Sequence, residues 1–526
     1  MNARVISVMV GLAALVGIGP CGVALAGAPP VASHGVASGD VTATSVVIWS
    51  RATAEGVMHV RVSGRAGESR TVYRSVPVVA SEDFTGKVVI GGLRPDTEYE
   101  YRVWFESAPG QGRGAGDAGE ERRRSRAAAS GVFRTAPPAD APKPMLFAWG
   151  GDLAGQNVCR DAVEGFPIFD AINALPLDFF IGLGDMIYAD GTCAAVGRYG
   201  NAQVPGDYTL ATDLPSFWAH WKYNREDAGY RRLLARMPYY AIWDDHEVVN
   251  DFGPLHDTRT APPYTPGVHL MPMGLAAFLD YNPIAERDET PNRLYRNVRW
   301  GRHVELFILD ARQYRDANIA QDSAERPKTM LGREQLTWLK AKLAASDATW
   351  KILVSSVPLS IPTGFPPALG RDGWANFDQE TGFEHELMDL LGFMRSREIR
   401  NVVSITTDVH FAEVFRYTPF ADDPGFRLYE FVSGPLNAGL FPNRDHDATL
   451  GTESLFFYGP EGGDAGFTFA QAKPFMNFGT IHVDEAGRLT TAIRATDGHV
   501  VYEQTLTPQM PGIHPPGVGE PPVILP

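Results

Sequence analysis

The rhythm of apolar and polar positions changes near residue 140. From residue 31 to about 136 the chain alternates in twos. In KVVIGGLRPDTEYEYRVWF, Tyr99, Tyr101 and Val103 alternate with Glu98, Glu100 and Arg102, as strands with one buried and one wet face do. SHGVASGDVTATSVVIWSRA reads as a turn followed by a strand, GVFRTAPP as a last strand and ADAPKP as a linker. From Met145 onward, short apolar runs end in glycines and polar groups: PMLFAWGGD, LDFFIGLGDMIYAD, YYAIWDDHE, HVELFILDARQY, WKILVSSVPL and NVVSITTDVHF. Helical stretches lie among them, in FPIFDAINAL, SFWAHWKYNREDAGYRRLLARM, REQLTWLKAKLAAS and FEHELMDLLGFMRSR. Strands and helices in turn predict an α/β domain. In such sheets ligands sit beyond the carboxyl ends of the strands, where these acids fall.

The remaining composition narrows this reading. The chain has 526 residues, enough for two domains, and is 44% hydrophobic and 21% charged, an ordinary globular mixture. A formal charge of -15 argues against a basic nucleic-acid footprint. MNARVISVMVGLAALVGIGPCGVALAGAPP has the form of a secretory signal peptide cleaved after Ala26, with a membrane anchor as the alternative. Pro20 makes Cys21 a poor lipoprotein site, and no later segment has the length and apolarity of a membrane span. Cleavage leaves Cys159 and Cys193, which in an exported chain either pair or remain two thiols. The expected divisions are a signal peptide at 1–26, a β domain at 31–136 interrupted by a charged, Gly-rich loop at 108–130, a catalytic domain at 144–506 and a proline-rich tail at 507–526.

Taken in order, the strand ends offer Asp152, then Asp185 and Tyr188, then Asp244, Asp245, His246 and Asn250, and finally Asp408 and His410. Converging carboxylates repel one another unless cations sit between them. Hard metals take oxygen ligands, and imidazole suits iron and zinc. Asp185, beside Gly184, is the candidate bridging acid. Tyr188 points to Fe(III), because a phenolate at neutral pH needs a strongly Lewis-acidic neighbour. Alone, each residue also reads as a helix cap, a turn residue or a core side chain. The ordered set is what specifies a metal centre.

At this point the chain resembles the PhoD-like alkaline phosphatases, within the calcineurin-like metallophosphoesterases. LGDMIYAD, IWDDHEV, LDARQYR and TDVHF are similar to their catalytic motifs, HGVASGDVTATSVVIWSRA to the start of their N-terminal domain, and FVSGPLNAG and PFMNFGTIHVD to later segments. The Leu93–Tyr101 stretch resembles the tyrosine corner of fibronectin type III sandwiches. The resemblance implies a four-layer α/β/β/α sandwich after a fibronectin type III-like β domain. It implies hydrolysis of phosphate mono- and diesters by a metal-activated water at an Fe(III)–Ca(II) centre, other divalent metals being possible.

Carried across by position, the resemblance implies metal ligation by Asp152, bridging by Asp185, iron binding by Tyr188, Asp408 and His410, and binding of the second metal by Asp245. His246 would stand near the leaving group. One departure is plain: members that bind iron through a thiolate carry a cysteine in the first motif, whereas FAWGGDLAGQNVC has none beside Asp152 and reaches Cys159 only seven residues on. The residues themselves add Asn250 as a further metal-ligand candidate. Arg312, in LDARQYR, is read either as a phosphate-facing group or as a salt-bridge partner.

The expected protein is an exported phosphoesterase acting on a phosphate ester, periplasmic or secreted, with its oligomeric state open. Two rivals remain. One is a phospholipase-D-like diesterase, with Tyr199, Tyr208, Phe217, Trp218 and Trp221 of the 197–230 segment lining a cleft. The other is a surface binding protein with a degenerate catalytic domain.

Overall fold

The computed structural model describes residues 30–64, 71–107, 128–254, 267–286, 289–364, 369–443, 445–509 and 523–524. The expected signal peptide, most of the 108–130 loop and most of the proline-rich tail lie outside them. All six apolar runs are strands, and they divide between two sheets. Met145–Gly150, Phe179–Leu183 and Pro238–Ile242 run parallel in a ten-stranded sheet. Val304–Ile308, Trp350–Val354 and Val402–Thr406 run parallel in a seven-stranded one.

The two sheets pack face to face, so the strands are apolar almost throughout rather than alternating. Phe179 meets Trp300 across the gap with ring centroids 4.7 Å apart. Phe147, Phe179, Ile181, Leu306, Ile352 and Ile405 share that core. Helices cover the outer faces. Gly332–Ala345 and Glu384–Ser396 lie on the seven-stranded sheet, burying Leu339, Leu343, Leu387 and Leu391 with Phe307 and Leu353. On the other side Phe169 and Tyr230 stack at 4.9 Å, and Phe180 stacks on Tyr239. The result is the four-layer α/β/β/α sandwich.

The stretch expected as one helix over 216–237 is two, Leu214–Arg225 and Ala228–Arg236. Asp227 causes the break: its carboxylate accepts the Tyr230 N–H and caps the second helix, as short acidic side chains do at helix starts. The helix Gly267–Tyr281, with Pro272 inside it, has no counterpart in the sequence reading.

The N-terminal β region holds the tyrosine corner: the Tyr99 hydroxyl accepts the Arg94 N–H at 2.9 Å. Tyr99, Tyr101 and Val103 are buried and Glu98 and Arg102 exposed, as the alternation predicts. Four strands form a sheet of their own, ordered Thr71–Val78, Gly56–Gly64, Glu98–Glu106, Ala129–Arg134. The other three, Ala32–Gly39, Ser45–Ala52 and Thr85–Gly91, extend the ten-stranded sheet. Ser38 and Gly39 pair in parallel with Pro238 and Tyr239, on the strand that launches the WDDHE run. The β region therefore buttresses the ten-stranded sheet through backbone hydrogen bonds.

Candidate active site

Both sheets direct strand ends into one cleft of about 200 Å³. Asp185, Asp245, His246, Asn250, Asp251, Asp408 and His410 line it, with Gln156, Thr363, Val409 and Phe441. No lysine or arginine lines it among the described residues. Asp152 and Tyr188 are buried just beneath. Three of the acids leave their strands through the left-handed region, Asp152 at φ 61°, Asp185 at 50° and Asp408 at 80°, and His410 follows at 60°. Such backbone is costly for residues other than glycine. It clusters where a side chain must be aimed, and Asp tolerates it better than most.

The groups within the WDDHE run have separate partners. Glu247 turns back: its carboxylate accepts the N–H groups of Asp185 at 3.0 Å, Met186 at 2.8 Å and Asp244 at 2.8 Å. It ties two strand ends together. Asp244 faces inward and accepts from Arg312 Nε at 2.5 Å and Ser356 Oγ at 2.8 Å. Asp245 and His246 face the cleft. Oxygens of Asp185, Asp245 and His246's ring nitrogen lie mutually within 4.8 Å, as do ligand atoms of Asp244, Asp245 and Asp408, and of Asp245, Asp251 and Asp372.

Burial, followed by mutual repulsion, disfavours negative charge here. Burial outweighs the Thr407 hydrogen bond and, with Asp244 nearby, pushes Asp152 up to about 7. Burial likewise carries Glu247 to about 8 against its backbone donors, and Asp244 to about 6 despite Arg312. Asp185 and Asp408 go well above the usual carboxylate range, for burial first and neighbouring acids second. Asp152 Oδ1, Asp244 Oδ2 and Asp408 Oδ2 are buried with no hydrogen bond among the described residues. Orphaned carboxylate oxygens are costly unless something positive meets them. The donor set, carboxylates with imidazole and a phenol, fits hard cations.

The two histidines are held differently. His246 Nδ1 lies 2.7 Å from Asp190 Oδ1. Burial opposes its charge, but Asp190 and Asp245 outweigh it and raise His246 to about 10. His410 Nδ1 donates to the Gly439 carbonyl, so its Nε2 accepts from the Tyr188 hydroxyl at 2.9 Å. Tyr188 is fully buried; burial first, then Asp185 and Asp152, hold its phenol protonated. Gly155 is required beneath it, since a Cβ there would come within 2.4 Å of the ring.

With this geometry in place, the comparisons with known proteins are direct. Residues 147–467, more than half of the chain, match the pattern described as PhoD-like phosphatase, and residues 22–137 match its N-terminal domain. The chain belongs to the PhoD-like phosphatase family. It is 26% identical over 412 residues to alkaline phosphatase D of Bacillus subtilis (strain 168). That match spans 72% of this chain and 64% of the relative, just under two thirds of its length. A solved structure of PhoD superposes with a TM-score of 0.68 at 20% identity, covering 91% of this chain and 93% of that one, so the fold is shared.

Within this family fold, the cleft and the layer under it bring together Asp152, Asp185, Tyr188, Asp245, His246, Asp408 and His410. Asn250 stands exposed on the rim, with its backbone N–H held by Asp190. Arg312 does not face the cleft. It is fully buried and pairs with Asp244 and, at 2.7 Å, with Asp372, so the phosphate-facing reading gives way to the salt-bridge one. Arg312 and Arg315, against the cost of burial, hold Asp372 down at about 2.

Cys159 and Cys193 form a disulfide whose loop encloses Asp185 through Asp190. Sequence reasoning assigned no role to Glu247, Asp190 or Asp372. The signal for Glu247 was present in the run itself, as the acid left over once Asp244, Asp245 and His246 had been assigned. Tyr199, Tyr208, Phe217, Trp218 and Trp221 do not line the cleft; Phe217, Trp218 and Trp221 pack into the core through the helix Leu214–Arg225.

Proposed function

We propose that this protein is a metal-dependent phosphoesterase, exported through its N-terminal segment, that hydrolyses phosphate mono- and diesters. The observation that carries the reading is the set of buried carboxylate oxygens left without hydrogen bonds where strand ends of two sheets meet. Asp152, Asp185, Tyr188, Asp408 and His410 would hold one metal, Fe(III) by resemblance, and Asp185, Asp245 and Asn250 a second, Ca(II) or another divalent ion. When bound, such ions supply charge neutralisation at the phosphoryl oxygens and acidify water.

The chain's own residues do the rest. Asp190 accepts the Nδ1 proton of His246 and fixes the ring. The protonated Nε2 then faces the cleft, where it donates to the departing alkoxide. Glu247 keeps the Asp185 and Asp244 loops at fixed separation through three backbone hydrogen bonds. The proposed division of labour assigns residues 1–26 to export, 31–136 to the buttressing β domain, 144–506 to catalysis and 507–526 to a tail. Among the described residues no helix is long and apolar enough to cross a membrane.

The test is elemental analysis of purified protein together with hydrolysis of p-nitrophenyl phosphate and bis-p-nitrophenyl phosphate, before and after chelation. Bound metal and chelator-sensitive hydrolysis are expected. A ferric centre with Tyr188 as ligand gives visible colour that Tyr188→Phe removes. Metal-free protein that hydrolyses both esters at the same rate overturns the proposal.

A further inference from the structure

One segment that the proposed chemistry does not use, residues 437–441, wraps His410. The Gly439 carbonyl accepts the Nδ1 proton of His410, and the Phe441 ring stacks on the imidazole at 4.3 Å and 8°. A carbonyl only accepts, so this contact selects the tautomer with hydrogen on Nδ1 and presents the Nε2 lone pair towards Tyr188 and Asp152. Whatever fixes Gly439 therefore fixes His410.

The segment is pinned at both ends. At Asn437, the backbone N–H donates to the Asp152 carbonyl and the backbone carbonyl accepts from Ala154 N–H, while the side-chain amide donates to the Val158 carbonyl at 2.9 Å. At Leu440, the backbone N–H donates to Asp464 Oδ2 at 3.1 Å and to the Tyr199 hydroxyl oxygen at 3.2 Å. Asp464 is buried. It also accepts from the Tyr199 hydroxyl at 2.7 Å and, through both oxygens, from Arg198 at 2.7 and 2.6 Å. A bidentate arginine pair is the strongest common way to immobilise a carboxylate. Arg198 and Tyr199 lie on the loop just beyond Cys193, whose disulfide to Cys159 anchors that loop beside Val158.

We infer that Asp464, held by Arg198 and Tyr199, is a positioning residue for His410, setting its tautomer and ring plane through Leu440, Gly439 and Phe441. Its geometry stands by itself; its consequence for metal binding rests on the phosphoesterase reading above. Outer partners of ligating histidines typically change metal affinity by roughly 10–100-fold.

The test uses Asp464→Asn, which keeps the shape but loses an acceptor and the charge, and Tyr199→Phe, which removes the hydroxyl. Metal-free full-length protein labelled with ¹⁵N at histidine reports the His410 tautomer. The Nδ1–H form is expected in the parent, and a mixture in both variants. Zn(II), titrated against a chromophoric chelator, is expected to bind about 10–100-fold more weakly to both. Asp83→Asn is the control, because Asp83 is likewise a buried partner of an arginine, Arg51, and does not line the cleft. It should lower stability and leave both readouts unchanged.

Variants at Asp464 and Tyr199 that lose stability alone overturn the inference, as does a control that shifts the tautomer equally. A parent that binds neither Zn(II) nor Fe(III) nor Ca(II) while Asp464→Asn still mixes the tautomer retires the metal-dependent phosphoesterase reading and leaves the positioning role standing.

Discussion

Two acidic hollows among the described residues differ in how their carboxylate oxygens are satisfied. The first is the cleft. The second, about 650 Å³, is lined by Asp322, Glu325, Glu380, Glu384 and Asp447 beside His385. By acid content the two are alike. They differ in what the oxygens touch. In the second hollow Asp322 accepts from the Lys328 N–H, the His385 N–H and ring, and the Asn376 amide. Asp447 accepts from the N–H groups of Phe377 and Thr449. None of its acids has a buried orphaned oxygen among the described residues. At the cleft and in the layer under it three do, Asp408 on the lining and Asp152 and Asp244 beneath. A carboxylate whose lone pairs are already used is a brace, and one left bare under burial awaits a cation. Within the WDDHE run Glu247 braces three backbone N–H groups, while Asp245, which also accepts from the His246 and Asp251 N–H groups, lines the opening.

The largest expected effect tests that contrast at its centre. Asp185→Asn should abolish measurable turnover, a loss beyond the roughly 100-fold of an outer partner, and should lower bound metal as read by elemental analysis. Asparagine tolerates the left-handed backbone at this position, so the fold should persist. Asp322→Asn in the second hollow should leave metal content and turnover as in the parent. Full metal occupancy in the Asp185 variant would erase the difference between the hollows.

Removing a group that faces the cleft without a ligand role is the next step down. His246→Ala should keep the metals and slow hydrolysis by about 10²–10⁴-fold, most for esters with poor leaving groups. Equal losses for good and poor leaving groups would take His246 out of the proton-donor role and leave its contact with Asp190 structural.

How much of this was legible in the sequence depends on whether the information is local. The six strands, their polar ends and the order Asp152, Asp185, Asp245, Asp408 could be read because each is a run of adjacent residues. What could not be read is contact between distant segments. Glu247 meets the Asp185 N–H from 62 positions away, and Asp190 meets His246 across 56. Asp464 reaches Tyr199 across 265. Arg312 shows the same limit from the other side: its motif identified it as important, but only its burial between Asp244 and Asp372 says for what. The continuity of Ala32–Gly39 with Pro238–Ile242 is likewise a pairing that alternation within either strand does not encode.

The smallest expected effect concerns the satisfied hollow, where the comparison can be sharpened by pH. Burial, then repulsion from Asp447, raises Glu384 from 4.5 to about 7, and Glu384 hydrogen-bonds to Asp447. A carboxyl whose pKa is higher in the folded state binds more protons there than in the unfolded chain. Its contribution to stability is therefore full below about pH 4.5 and is lost as pH rises through about 7. Glu384→Gln keeps a neutral donor towards Asp447 at every pH. The melting temperature of the variant should match that of the parent near pH 4.5 and exceed it modestly above pH 7, in calorimetry with metal present throughout. The cleft's own titration then cancels between the two proteins. A difference that does not change with pH would mean that Glu384 is ionised at neutral pH in the folded protein. The second hollow would then hold an uncompensated pair of acids, and the line drawn between the two hollows would have to be redrawn.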